Sequence, residues 1–185
     1  PEDVLHLGDF DWRAVAAPGH DMGALMFYSA ELKLLISGDA LWQNGLGAIT
    51  PKAGVNPGVE AALATLQSMR ELNIEVVIPG HGKPFIDVNE AFARAESRLR
   101  AYQAEPLKCA RNFLKSIFTF HLLEVGCMNV EDVANYFARV PCYVDINAEF
   151  FHLTPQALAD LLTSELLAVQ AIKVEQRKVY PLMAV

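Results

Sequence analysis

Three times in its first 82 residues, the chain passes through a short apolar stretch, reaches a glycine, and then presents a side chain that can bind a metal ion. The stretches are VAAPGH, LLISGD and VVIPGHG, and the side chains are those of His20, Asp39 and His81. Apolar runs of this length that end at Gly or Pro are typical of buried strands, and glycine lets the chain turn directly after the strand. Because neighbouring strands can bring such residues to one edge of a sheet, the pattern predicts a layered α/β fold with a polar cluster at the strand ends.

The three side chains form a donor set that suits a divalent metal ion. Two imidazoles and a carboxylate are ligands that Zn²⁺ accepts, and Fe²⁺ or Mn²⁺ also fits such a set. Taken alone, His81 is better explained as a loop residue that hydrogen-bonds to a carbonyl group. The three elements taken together favour the metal site.

The order of the elements predicts an α/β region followed by a helical region, with domains at residues 1–87 and 88–185. In the first we expect strands near residues 13–17, 25–28, 32–36 and 74–78, a helix from Pro57 or Gly58, and both parallel and antiparallel pairs. In the second we expect helices near residues 88–103, 107–123, 129–139 and 155–167, then a β-hairpin. Helices that end in a hairpin resemble a winged-helix arrangement. Arg94, Arg98 and Arg100 are predicted to lie on solvated faces of the first of these helices.

Charge and composition exclude several classes of function. The chain has 185 residues with a net charge of −7, which argues against binding to nucleic acid or to an anionic lipid surface. No apolar run approaches the roughly 20 residues that span a bilayer. The three cysteines include no CxxC pair, which indicates a reducing compartment, and we expect a cytoplasmic protein. The helix over residues 156–167 has no Lys or Arg, so the winged-helix-like region is expected to mediate dimerisation or to cover the substrate.

The ordered triple PGH, SGD and PGHG resembles the second half of the metallo-β-lactamase fold, whose family includes glyoxalase II and lactonases. The resemblance covers about residues 4–87 and implies the C-terminal half of an αββα sandwich. It also implies that His20 binds one metal ion, that His81 binds the other, and that Asp39 bridges both, with two zinc ions in a complete site. The implied reaction is hydrolysis of an ester, thioester or lactone of a small-molecule substrate by a metal-bridging hydroxide.

One part of the family pattern is absent from the sequence. The family's other ligands come from an upstream HxHxDH motif, whereas this chain has no HxH pair among its five histidines. We therefore expect the C-terminal portion of a longer enzyme, depleted of metal and inactive alone, which pairs with the missing N-terminal half or forms a homodimer. The alternative is a non-catalytic fragment, or an interaction and oligomerisation module.

Five further side chains are weighed for a part in the site. Trp42 either lines the substrate mouth or packs in the core, and Lys83 either meets an anionic substrate or is a surface lysine. Asp21 either orients a ligand or is a solvated loop carboxylate. His121 is expected in the core, and His152 is expected to cap the last main helix or to line the substrate wall.

Overall fold

In the computed structural model, which describes residues 4–182, five strands form one sheet in the order of the chain. The strands are β1 (Val4–Leu7), β2 (Phe10–Ala16), β3 (Leu25–Ser29), β4 (Leu34–Gly38) and β5 (Val76–Pro79). The first four pair antiparallel, and β5 pairs parallel with β4 so that Leu35 lies opposite Val77. The predicted mixture of parallel and antiparallel pairs is confirmed. The parallel pair requires a crossover connection, which helix α1 (Pro57–Arg70) supplies.

One face of this sheet is buried. It carries Met26, Leu35 and Val77, each 0% exposed, and the helix α1 packs against α2 (Val88–Ala104) in the same unit. The start of α1 is fixed by Asn56, whose Oδ1 accepts from the backbone N–H of Gly58 at 3.0 Å and from the next residue.

The opposite sheet face is apolar and remains partly exposed. The strand register sets Ala14, Phe27, Ile36 and Ile78 in one row on this side, since residues that pair across strands share a face. Leu25 in β3 is 54% exposed and Ile78 is 36% exposed. We call this surface the open sheet face; its apolar side chains are Leu5, Leu7, Phe10, Trp12, Ala14, Ala16, Leu25, Phe27, Leu34, Ile36, Val76 and Ile78.

A second compact unit contains the remaining helices and a three-stranded sheet. Its elements are α3 (Pro106–Val125), β6 (Met128–Asn129), α4 (Val130–Arg139), α5 (Pro141–Ile146), a π-helical turn (Asn147–Phe151), α6 (Pro155–Ala168), β7 (Ile172–Glu175) and β8 (Lys178–Pro181). The sheet order is β6-β8-β7. In the core, the ring of Phe137 stacks on Tyr143 at 4.2 Å and meets the edge of Phe118 at 5.1 Å. Burial raises the pKa of the Tyr143 hydroxyl, which donates to the backbone oxygen of Leu114.

Several sequence predictions are refined by the structure. The strand β1 was not predicted, and α5 and the π-helical turn were missed, because four- to six-residue elements carry little periodic signal. The compact unit that contains the five-stranded sheet extends to Pro106 and so includes α2. The domain boundary after residue 87 and the winged-helix description stay predictions. Within residues 4–182, no helix combines the length and apolarity needed to cross a lipid bilayer.

Two leucines on one strand test which sheet face is covered. We expect Leu35→Ala to lower the free energy of unfolding by about 2–5 kcal/mol, because its side chain is fully buried on the covered sheet face. Leu34→Ala removes the same atoms from the open sheet face, where the side chain is only partly buried, and should cost clearly less. Urea unfolding of both variants measures the difference; equal losses would contradict the assignment of the faces.

Candidate metal centre

The three predicted ligands meet at one edge of the five-stranded sheet. Each follows a strand: His20 lies in the turn after β2, Asp39 directly follows β4, and His81 lies two residues past β5. Because β4 and β5 are parallel, their carboxyl ends meet, and the backbone N–H of Gly80 donates to the oxygen of Gly38 at 2.8 Å. The predicted juxtaposition is therefore present in the structure.

His20 is held with one ring nitrogen facing Asp39. Its Nδ1 lies 2.6 Å from the backbone oxygen of Ala48, and its Nε2 lies 3.6 Å from Asp39 Oδ2. Since a carbonyl oxygen can only accept, Nδ1 carries the hydrogen, and in the neutral ring Nε2 presents a lone pair to the carboxylate. Two electron-rich atoms face each other there, an arrangement that a cation between them would satisfy.

His81 faces the other oxygen of the same carboxylate. Its Nε2 lies 3.9 Å from Asp39 Oδ1, and its ring meets the indole of Trp42 edge-on at 5.2 Å. The indole Nε1–H of Trp42 donates to that same Oδ1 at 3.1 Å. Asp39 thus contacts a histidine on each side, and Trp42 touches both Asp39 and His81.

Glycines make room for this cluster. A Cβ atom at Gly80 would lie 2.6 Å from Asp39 Oδ1, and one at Gly47 would lie 2.7 Å from Cγ of His20 and 2.9 Å from Cβ of Asp39. Real Cβ atoms do not approach that closely, so any side chain at either position would displace the carboxylate or the imidazole. The backbone N–H of Gly47 also donates to the backbone oxygen of Asp39 at 2.8 Å.

The separations fit a metal ion only in part. Ligand atoms that surround a tetrahedral zinc ion at about 2.0–2.2 Å lie roughly 3.3–3.6 Å from one another. The 3.6 Å pair of His20 and Asp39 is at the edge of that range, and the 3.9 Å pair of His81 and Asp39 is slightly wider. Among residues 4–182, no group of three or more His, Cys, Asp or Glu side chains is arranged to hold one ion. Each proposed metal position therefore has one histidine and a share of one carboxylate.

Two arginines of α2 support the site in a way that the sequence did not reveal. Arg94 Nε donates to the backbone oxygen of Gln43 at 2.8 Å, and Arg98 Nη2 donates to that of Asn44 at 3.0 Å. The predicted solvated faces of α2 thus meet the loop that follows Asp39, although Arg94 itself remains exposed. The i, i+4 spacing of the two arginines is visible in the sequence, but their partners, about 50 residues away along the chain, are not.

The other candidates lie on loops of the first unit, or within or directly after helical elements of the second. Lys83 is exposed on the loop after His81. The Asp21 carboxylate accepts from the backbone N–H of Gly23 at 2.7 Å, which stabilises the His20 turn. His121 belongs to the second unit, where its ring stacks on Tyr136 at 4.3 Å. His152 has φ 55° and ends the π-helical turn.

Comparison with known proteins shows which protein family the first part of the chain resembles. The model of the metallo-beta-lactamase superfamily matches residues 1–81, which contain all three candidate ligands. Over these residues the chain is similar to the metallo-beta-lactamase superfamily.

The chain is also similar to curated hydrolases over part of its length. It is 29% identical over 83 residues to "Acyl-coenzyme A thioesterase MBLAC2" of Gallus gallus, which is 45% of this chain and 30% of that protein. It is 32% identical over 87 residues to "Probable metallo-hydrolase YqgX" of Bacillus subtilis (strain 168), which is 45% of this chain and 39% of that protein. The chain thus matches about a third of the length of these relatives.

Two solved structures resemble nearly the whole chain. One is a metallo-beta-lactamase family protein, TTHA1429, from Thermus thermophilus, with TM-score 0.46 and 21% identity over 97% of this chain and 52% of that chain. The other is a beta-lactamase domain protein from Burkholderia ambifaria, with TM-score 0.49 and 21% identity over 97% of this chain and 50% of that chain.

Adding one methyl group tests how tightly the site is built. We expect Gly80→Ala and Gly47→Ala each to lower the free energy of unfolding by about 1–3 kcal/mol, because the new Cβ overlaps Asp39 or His20. Gly23→Ala is the matched control, since its Cβ would meet Asp21 Oδ1 at 3.5 Å, an ordinary contact. Urea unfolding measures all three; a loss at Gly23 as large as those at the other two glycines would contradict the close packing of the site.

Proposed function

We propose that this chain supplies half of a two-metal hydrolytic centre, with His20 and His81 as terminal ligands and Asp39 as the bridging ligand. One observation carries the proposal: the backbone oxygen of Ala48 accepts a hydrogen bond from His20 Nδ1–H, which leaves Nε2 of the neutral ring to face Asp39 with its lone pair. A histidine whose second nitrogen is bound to a carbonyl is oriented in the manner of a metal ligand.

The chemistry that two such ions supply when bound is a water molecule of lowered pKa, for use as the nucleophile, and polarisation of a carbonyl oxygen. The residues of this chain have separate parts in that centre. Asp39 presents one oxygen to each histidine, so a single carboxylate fixes the spacing of both positions. Zinc suits the imidazole and carboxylate donors, as do iron and manganese.

The proposed substrate class is a small molecule with an ester, thioester or lactone bond. One curated relative is named a probable metallo-hydrolase, which supports hydrolysis, and another is named an acyl-coenzyme A thioesterase, which supports an acyl bond as its target. Lys83 lies on the exposed loop just past His81, where an ammonium group can meet an anionic part of such a substrate. The three cysteines are free thiols, which supports a cytoplasmic protein.

The open sheet face supports the second part of the proposal, that the centre is completed by another layer. A zinc site usually needs three or four protein ligands, whereas each position here has one histidine and a shared carboxylate. A row of apolar side chains across a sheet is stable when another layer covers it. We propose that this layer is the family's HxHxDH half or a second copy of the chain, and that the 185 residues alone bind metal weakly and turn over little substrate.

Metal binding by single variants tests the centre. We expect Asp39→Ala to lower the Zn²⁺ affinity of the chain by at least roughly 10–100-fold, since both metal positions lose a ligand. That range is the cost of losing a group that only hydrogen-bonds to a metal ligand, so loss of a ligand should cost at least as much. His20→Ala and His81→Ala should each weaken one position. His6→Ala is the matched control, because His6 lies on β1 and pairs with Asp11, away from the site. Competition titration against a chromogenic chelator gives the affinities; an unchanged affinity in Asp39→Ala would contradict the proposal.

A further inference from the structure

We infer that Arg94 and Arg98 of α2 are positioning residues for the metal centre and that they act through Trp42. The inference rests on the proposed function, because it assigns these residues a role in holding Asp39 ready to bind an ion. It is carried by a continuous path of hydrogen bonds from α2 to the carboxylate.

The path begins at the two guanidinium groups. Arg94 donates through Nε to the backbone oxygen of Gln43 and through Nη2 to Asp87 Oδ2 at 2.6 Å. The Gln43 side chain in turn donates to Asp87 Oδ1 at 3.0 Å, which closes a ring of three residues. Arg98 holds the next residue through its hydrogen bond to the backbone oxygen of Asn44. Two consecutive carbonyl groups of the loop are therefore fixed from one helix.

The loop transmits this restraint to Trp42. Trp42 and Gly45 exchange two backbone hydrogen bonds, of 2.7 and 3.3 Å, so residues 42–45 form one closed turn. Gly45 lies directly against Arg98, since a Cβ atom there would be 2.3 Å from Nη1 of that arginine. A turn that is closed on itself and fixed at two carbonyl groups leaves the Trp42 backbone little freedom.

At the end of the path, the indole of Trp42 fixes the orientation of the Asp39 carboxylate. Its Nε1–H uses one lone pair of Oδ1, the oxygen that faces His81, while the indole edge contacts the ring of His81. A carboxylate oxygen that is hydrogen-bonded in this way has a fixed plane and one lone pair left for a ligand, so the rotation of Asp39 is already restricted before an ion binds. The sequence suggests two roles for Trp42, to line the substrate mouth or to pack in the core. This geometry favours a third role, in which Trp42 orients the carboxylate of Asp39.

The alternative is that the arginines only anchor a surface loop. Charged contacts at exposed sites contribute little to stability, so an unfolding measurement alone does not separate the two roles. The separation must come from the indole itself and from metal affinity.

The indole N–H gives a direct readout. The chain has two tryptophans, Trp12 and Trp42, and therefore two indole N–H resonances, which Trp42→Phe assigns. In the double variant Arg94→Ala/Arg98→Ala, we expect the Trp42 indole N–H to exchange with solvent roughly tenfold faster and to shift towards the position of a free indole, with Trp12 unchanged. Arg100→Ala is the matched control on the same helix, because Arg100 bonds to Gln103 and Glu96, which both belong to α2.

The second arm measures Zn²⁺ affinity in the same variants. We expect Trp42→Phe, which keeps a ring beside His81 but removes the N–H, and the double arginine variant to bind Zn²⁺ about 10–100-fold more weakly than the unmodified chain. Arg100→Ala should bind as the unmodified chain does.

The two arms separate failure of this inference from failure of the proposed function. An unchanged Trp42 indole in the folded double variant overturns the inference. Zn²⁺ binding that is intact in the unmodified chain and equally tight in Trp42→Phe also overturns it, and leaves the proposed function standing. An unmodified chain that binds no Zn²⁺ while the indole responds as expected means that the metal centre itself fails, and the positioning role with it.

Discussion

The close approach of two strand ends around one carboxylate is the constraint on which the rest of the site depends. Asp39 follows β4, and the parallel strand β5 brings Gly80 so near that a Cβ atom there would lie 2.6 Å from Oδ1. Gly47 closes the other side, against both His20 and Asp39. Because glycine backbone approaches the carboxylate at Gly47 and Gly80, its oxygens can face two histidines that lie far apart in the sequence. The sheet thus does more than carry the ligands: its parallel pair fixes where Asp39 and His81 meet.

The hydrogen bonds around the cluster explain why the side chains of His20 and Asp39 are held in one orientation. His20 is fixed by the Ala48 backbone oxygen, and Asp39 is fixed by the Trp42 indole. Both partners lie on the single loop that runs from β4 to α1, which is itself held by the arginines of α2. This loop, which is rich in glycine and asparagine and has no regular structure, therefore positions the side chains of His20 and Asp39. Hydrogen bonds from the helix α2 restrict the movement of the loop.

Much of the fold, and the meeting of the three candidate ligands at one sheet edge, could be predicted from the sequence. Apolar runs that end in Gly mark β4 and β5, and the 3.6-residue period marks α1 and α2. The support of the site could not be predicted in this way. The bond between His20 and Ala48 spans 28 residues, and that between Arg98 and Asn44 spans 54, so no local pattern records either of them. Short elements such as β1 were missed for a different reason, because a four-residue strand of mixed polarity has no distinctive period.

His20, Asp39 and His81 are the proposed shared ligands of a two-metal centre, and the position of the metal tests this most directly. The measurement is anomalous diffraction at the zinc absorption edge from crystals of the zinc-loaded protein. We expect density within about 2.0–2.2 Å of Asp39 and of Nε2 of His20, with a second position on the His81 side. Zinc bound elsewhere, with Asp39 outside its coordination sphere, would contradict the shared-ligand centre.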